Sequence, residues 1–210
     1  DYSQKVAEIF NRTNPETLQR VELFLKDLKQ KLYGFEVDSG KNDMISGKIE
    51  VNFAWTGDAV YTIDEAELAG LEFGYVVPLE GSNVWFDGWV IPKYAKNVDA
   101  ARYFINFMCR PDNAIRNMDA IGYVSAVGGS EVLEAISDAD EYAPIDATYF
   151  FGEGAESVCI NPVQYPSTEV IARCGMLHDS GDRTELLLAM WNSVKGHNAT
   201  SLTYVILIVA

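Results

Sequence analysis

Histidine and cysteine, from which most metal centres and nucleophilic triads are built, are scarce in this 210-residue chain, with two of the first and three of the second. Cys109, Cys159 and Cys174 form no Cys-x-x-Cys pair and no Cys/His ligand spacing, so no metal ligands are expected. Cys159 and Cys174 are open to pairing, but three buried thiols is the plainer expectation. His178 stands beside Asp179, yet no serine lies in a Gly-x-Ser-x-Gly turn, which leaves a hydrolase triad without its nucleophile. No catalytic set and no cofactor are therefore expected. Positive charge is also short: 16 Lys and Arg stand against 31 Asp and Glu, a net charge of −15. Such a chain is a poor counterpart for phosphate backbones, which excludes nucleic acid as a partner, while its field concentrates small cations.

Long hydrophobic runs are missing too. The opening Asp1-Tyr2-Ser3-Gln4-Lys5 lacks the apolar stretch of a signal peptide. The closing run, residues 199–210, is apolar and β-branched but stops well short of the roughly 20 apolar residues that cross a bilayer. It reads as the cut-off start of a transmembrane helix, an appended sequence or a final buried strand. The first is favoured, because Gly196 and Asn198 look like a helix stop followed by a new segment. Both ends read as cuts in a longer protein.

What is present is an ordinary globular composition, 48% hydrophobic and 22% charged. Asn14-Pro15-Glu16 opens a helix, with Asn as cap and Pro at the first helical position. Leu18, Val21, Leu25, Leu28 and Leu32 then form one apolar stripe before Gly34. Residues 35–38 read as a short strand. Ile49, Val51, Phe53 and Trp55 alternate with Glu50, Asn52 and Ala54, the period-two pattern of a strand, and run through Thr56-Gly57-Asp58 into a helix over 59–68. Further strands are expected over 73–77 and 84–91. Helices are expected from Val98, capped by Asn97 and burying Val98, Ala101, Ile105 and Met108, and from Pro111 to Gly122. Others are expected over 130–136, 167–174 and 183–195. Strand, Gly turn and helix in succession indicate an α/β fold, in which ligands sit at strand carboxyl ends.

Three spots combine aromatics with acids. Trp55-Thr56-Gly57-Asp58 sets an indole at a strand end and a carboxylate at a helix start. Trp85-Phe86-Asp87 puts Trp and Asp on one face of an extended segment, and Ile121-Gly122-Tyr123 sets a phenol just past a helix. Rings and carboxylates together suit an alkylammonium ligand, each desolvated cation–ring contact being worth roughly 0.5–2 kcal/mol. The plainer alternative is that these aromatics are core residues and that Asp58 is a helix cap, which local grounds favour. Asp87 is harder to dismiss, since Asp is depleted in strands.

The runs Trp55-Thr56-Gly57-Asp58, Glu80-Gly81-Ser82-Asn83-Val84-Trp85-Phe86-Asp87 and Ile91-Pro92-Lys93-Tyr94-Ala95-Lys96-Asn97 resemble the spermidine/putrescine-binding proteins of bacterial ABC importers. So do Ala100-Ala101-Arg102-Tyr103-Phe104-Ile105-Asn106-Phe107, Arg110-Pro111 and Ile121-Gly122-Tyr123, the order being kept over residues 14–196. The resemblance implies a type-II periplasmic-binding-protein fold, represented mostly by its second lobe plus part of the first. Residues 1–86 and 127–198 would form the second lobe, 87–126 a segment of the first, and 199–210 an apolar tail that could start a membrane anchor. It implies a periplasmic or cell-surface receptor, not an enzyme, that hands a polyamine to the permease subunits of an ABC transporter. Carried over by position, Trp55 is similar to the indole along the methylene chain and Asp58 to an ammonium-binding carboxylate of some members. Trp85 and Tyr123 are similar to cleft aromatics, and Asp87 to the main terminal-ammonium acceptor. Leu177, near His178 and Asp179, stands where some spermidine-binding members have glutamine, which leaves diamine or triamine open. The alternatives from the residues alone are another small organic cation, an amino acid or a sugar on the same fold, a hydrolase using Asp58 and Asp87, or a structural or interaction fragment that binds no ligand.

Overall fold

The computed structural model describes residues 2–35 and 38–196. Their helices are, in order, α1 (Tyr2–Phe10), α2 (Pro15–Lys29), α3 (Gly40–Ile45), α4 (Thr56–Leu68), α5 (Val98–Met108), α6 (Pro111–Ile121), α7 (Ser130–Ile136), α8 (Thr148–Phe151), α9 (Thr168–Ile171) and α10 (Thr184–Gly196). Two-residue strands β1 (Ser82–Asn83) and β2 (Cys174–Gly175) form one sheet, and Ile145 and Val158 make an isolated antiparallel bridge. The chain divides into two compact units, one of residues 1–37 and 175–210 and one of residues 38–174.

In the first unit α2 begins as its sequence dictates, with Asn14 Oδ1 accepting the Thr17 amide at 2.9 Å and Pro15 at the first helical position. Leu18 is its buried residue. The stripe fails at Val21, which is exposed within the helix, and at Leu32, which lies beyond it because the helix ends at Lys29 rather than near Gly34. Helix α2 packs on α10, where Val194 is fully buried. Lys29 Nζ donates to the carbonyls of Val194 and Lys195, satisfying terminal acceptors of α10 that have no partner within the helix. Ser193 Oγ and Lys26 Nζ both donate to Glu22 Oε1 at 2.6 Å, and the Phe35 and Trp191 rings meet edge to face at 5.1 Å. Beside them Asn11 Nδ2 donates to the Met176 carbonyl at 2.8 Å, and its Oδ1 accepts the His178 amide at 2.7 Å.

The second unit is organised around Met118, Val132, Ala147, Ala155, Ile160 and Tyr165, buried and mutually packed. Phe150 and Phe151 lie on Tyr165 with ring centroids at 5.2 and 5.4 Å. Burial there pushes the Tyr165 phenol up to about 12. Helix α7 spans the expected residues, and α5 turns Val98, Ala101, Ile105 and Met108 to its less exposed face, although none is fully buried. Helix α4 starts three residues before the expected Ala59, and the helix expected over 167–174 is a single turn, α9. Cys109 is exposed rather than buried, and the three cysteines are free thiols.

The α/β expectation needs its largest correction in the strands. Residues 49–55, 73–77 and 84–91 form no ladder among the described residues, and the strand expected over 35–38 is centred on residues outside them, as is the tail 199–210. Over 51–54 the apolar side faces out: Val51 and Phe53 are exposed, Phe53 at 91%, while Asn52 and Ala54 are partly covered. Period-two alternation specifies an extended chain whose apolar side wants cover. It does not supply the neighbouring strand, and a strand exists as such only through its pairing.

Candidate functional site

All five site residues anticipated from sequence belong to the second unit, and three chain segments bring them together. The first is the start of α4. Its cap is Trp55, in extended conformation and without a side-chain capping bond, and Asp58 lies in the first turn. Asp58 is therefore not the helix cap that local grounds favoured. Its carboxylate sits near the positive end of the helix and pairs with Lys41 on α3, Nζ to Oδ1 at 3.1 Å.

The second segment is the extended stretch after β1, which carries Trp85 and Asp87. The Trp85 indole meets Trp55 edge to face at 4.8 Å and Tyr123 at 6.3 Å, both at an interplanar angle of 70°. Trp85 is thus the middle of a row of three rings, within the 4.5–7 Å range where edge-to-face pairs attract. Its Nε1 donates to Asp87 Oδ2 at 3.4 Å, which fixes a carboxylate at the side of the row.

The third segment is the end of α6. Gly122 closes the helix in the left-handed conformation, φ 72°, which glycine adopts without penalty. A Cβ at Gly122 would lie 2.9 Å from the Gly57 carbonyl oxygen, and a Cβ at Gly57 would run into the Tyr123 ring. Two glycines facing each other are what let the start of α4 and the end of α6 approach this closely. Gln164 Nε2 holds the arrangement from a fourth segment by donating to the Gly122 carbonyl at 2.8 Å.

The electrostatics agree with the geometry. The Tyr123 phenol is pushed above its ordinary range by burial first, then by the Asp58 and Asp87 carboxylates, so it stays a neutral hydroxyl between two acids. The Lys41 ammonium is held above its ordinary range, mainly by its hydrogen bond to Asp58. Trp55 keeps 46% of its surface exposed, while the Lys41 and Asp58 side chains retain 27% and 24%. The site is open to solvent at the Trp55 end and half-closed at the acid.

Sequence reasoning missed Lys41, Gln164 and the packing role of Gly57. Lys41 lies 17 residues from Asp58, on a six-residue helix with no amphipathic pattern to announce it. Leu177, His178 and Asp179 lie in the first unit, Leu177 exposed and Asp179 Oδ1 accepting the Gly181 amide at 2.9 Å. Among the described residues no group of His, Cys, Asp and Glu could hold a metal ion, and no helix is long and apolar enough to cross a membrane.

The fold thus gathers three ring systems and two carboxylates at one place in the second unit. The chain belongs to the bacterial extracellular solute-binding protein family, whose model matches residues 2–144. It is 34% identical over 120 residues to the spermidine/putrescine-binding periplasmic protein of Escherichia coli K12, covering 57% of this chain and 33% of that one. It is 26% identical over 191 residues to spermidine/putrescine-binding periplasmic protein 1 of Haemophilus influenzae, covering 91% and 46%. To the putrescine-binding periplasmic protein SpuD of Pseudomonas aeruginosa it is 26% identical over 186 residues, covering 87% and 45%. The matches span between a third and just under half the length of these relatives.

Proposed function

We propose that this chain is the ligand-contacting portion of a periplasmic or cell-surface receptor that binds a polyamine and delivers it to an ABC permease. The observation that carries the reading is the row Trp55–Trp85–Tyr123 with Asp58 and Asp87 beside it. A polyamine is a flexible alkyl chain with ammonium ends. Ring faces and edges can line its methylenes, and each carboxylate can accept one charged end at about 1.5–3 kcal/mol per charge-assisted bond. The names of the relatives, spermidine- and putrescine-binding, support that ligand class. An anionic solute would instead be repelled by Asp87, while the Lys41 charge is already taken up by Asp58.

In this reading the protein holds its ligand and performs no chemistry on it. The architecture is the type-II periplasmic-binding-protein fold, with residues 1–86 and 127–198 in one lobe and 87–126 in the other, and closure of the lobes excludes water from the charge pairs. Asp87 is the main ammonium acceptor, Asp58 the second, Trp55 the surface along the methylene chain, and Trp85 and Tyr123 complete the cleft.

The test is a tryptophan-fluorescence titration of the full-length protein with putrescine and spermidine, repeated with Asp87→Asn. Saturable binding that falls at least tenfold in the variant is expected, because an ammonium then loses its charged acceptor. Equal affinity in the two proteins would remove Asp87 from the site. No saturable response to either amine would overturn the polyamine reading.

A further inference from the structure

The second acid of the site is already occupied by a cation belonging to the protein. Lys41 Nζ sits 3.1 Å from Asp58 Oδ1, both side chains about three-quarters covered. We infer that Lys41 is a tethered competitor for the ligand: its ammonium stands where a second ligand ammonium would bind, and it sets how much a diammonium gains from its second charge. This rests on the polyamine reading above.

The chemistry follows from the pair itself. An incoming ammonium at Asp58 meets a carboxylate whose charge is already balanced, with a like charge within a few ångströms. Either Lys41 keeps the acid, and the ligand is held through Asp87 alone, or Lys41 gives it up. The side chain is suited to leaving, since a lysine is a compact charge on a flexible four-carbon stem. It also has somewhere to go, because Lys41 feels the negative charge of Asp38 as well as that of Asp58. Helix α3, which carries Lys41, need not move for this. It is pinned by the buried Asp43, whose carboxylate accepts Lys48 Nζ at 2.7 Å and Ser39 Oγ at 3.2 Å.

The inference predicts a gain of affinity from removing a positive charge near a cation site, and a dependence of that gain on Asp58. In the full-length protein, Lys41→Met and Lys41→Gln are expected to bind putrescine about three- to tenfold more tightly than wild type, the range expected for a partly exposed charge pair. Lys41→Arg keeps the charge and is expected to show no gain. In an Asp58→Asn background the gain from Lys41→Met is expected to shrink, since only the like-charge repulsion is relieved and there is no acid left to release. A direct readout is the methyl resonance of reductively dimethylated Lys41, which should shift on adding putrescine as the ammonium leaves Asp58. Putrescine binding to wild type with unchanged or weaker binding to both neutral variants would overturn the inference while leaving the polyamine reading intact. So would a gain of undiminished size in the Asp58→Asn background. Absence of saturable binding by wild type would overturn the polyamine reading, and this inference with it.

Discussion

Replacing Gly57 by alanine sets local and tertiary physics against each other with opposite signs. Gly57 lies in the first turn of α4, and its φ is not in the left-handed region, so the backbone accepts a side chain there. Helix propensity alone says that Gly57→Ala stabilises, by about 0.5–1 kcal/mol at most. Packing says the reverse. The new Cβ would fall within the Tyr123 ring, contacting three of its atoms too closely for the ring to stay in place. Overpacking of a fitted contact costs about 1–3 kcal/mol. Moving the Tyr123 ring also loosens its edge contact with Trp85, a further loss of up to about 1 kcal/mol. The net expectation is a destabilisation of about 1–3 kcal/mol. With a urea slope of about 2–3 kcal/mol/M, the midpoint falls by roughly 0.3–1.5 M. The assay is urea unfolding followed by tryptophan emission, to which Trp55 and Trp85 contribute two of the four indoles. Gly88→Ala is the control, because a Cβ at Gly88 meets nothing within 4 Å. A further arm places Gly57→Ala in a Tyr123→Ala background, where the collision is gone and the alanine should stabilise. A midpoint that stays put or rises in the single variant would refute the claim that Tyr123 is seated on Gly57.

Acid stability should depend on Asp43. Its carboxyl is held below the ordinary range, chiefly by the hydrogen bond from the Lys48 ammonium. A depressed folded value means that the unfolded chain takes up the proton first, so this contribution is present above about pH 4 and is lost as pH falls through the folded value. Urea midpoints measured from pH 6 to pH 2.5 should therefore drop less steeply in Asp43→Asn than in wild type, and parallel curves would exclude the assignment. Ile160 is fully buried in the core of the second unit, and Ile160→Ala should cost about 2–5 kcal/mol in the same urea assay. A loss below about 1 kcal/mol would mean that the cluster around Tyr165 is not the core of the second unit.

The helices were the most legible part of the fold, and the reason is that their signals are local. Asn14-Pro15 carries both cap and first position within two residues, Gly122 carries a left-handed stop in one, and the stripes of α5 and α10 repeat every three or four residues along a single element. The residue types of the site were legible for a related reason. Trp-x-x-Asp at a helix start and Trp-Phe-Asp in an extended stretch juxtapose ring and acid within a few positions, so candidates could be named without knowing what lies opposite.

What no local signal contains is the identity of a neighbour. The alternation over residues 49–55 describes an extended chain equally well whether it is paired or not, and only the assembled structure decides that Val51 and Phe53 face outward here. The approach of α4 to the end of α6 depends on Gly57 and Gly122 meeting back to back, a fact about two positions far apart in sequence. The partner of Asp58 is of the same kind. Read by itself, the aspartate was a cap; in the fold, Trp55 takes the cap position and Lys41 takes the carboxylate. The sequence by itself determined where α2, α4, α5, α6, α7 and α10 run, though not α1, α3 and α8, and which rings and acids are available, because backbone propensity and side-chain chemistry are properties of short stretches. Only the tertiary structure decided which acid is open and which already holds a cation, because charge pairing depends on distance in space, and that distance is set by packing.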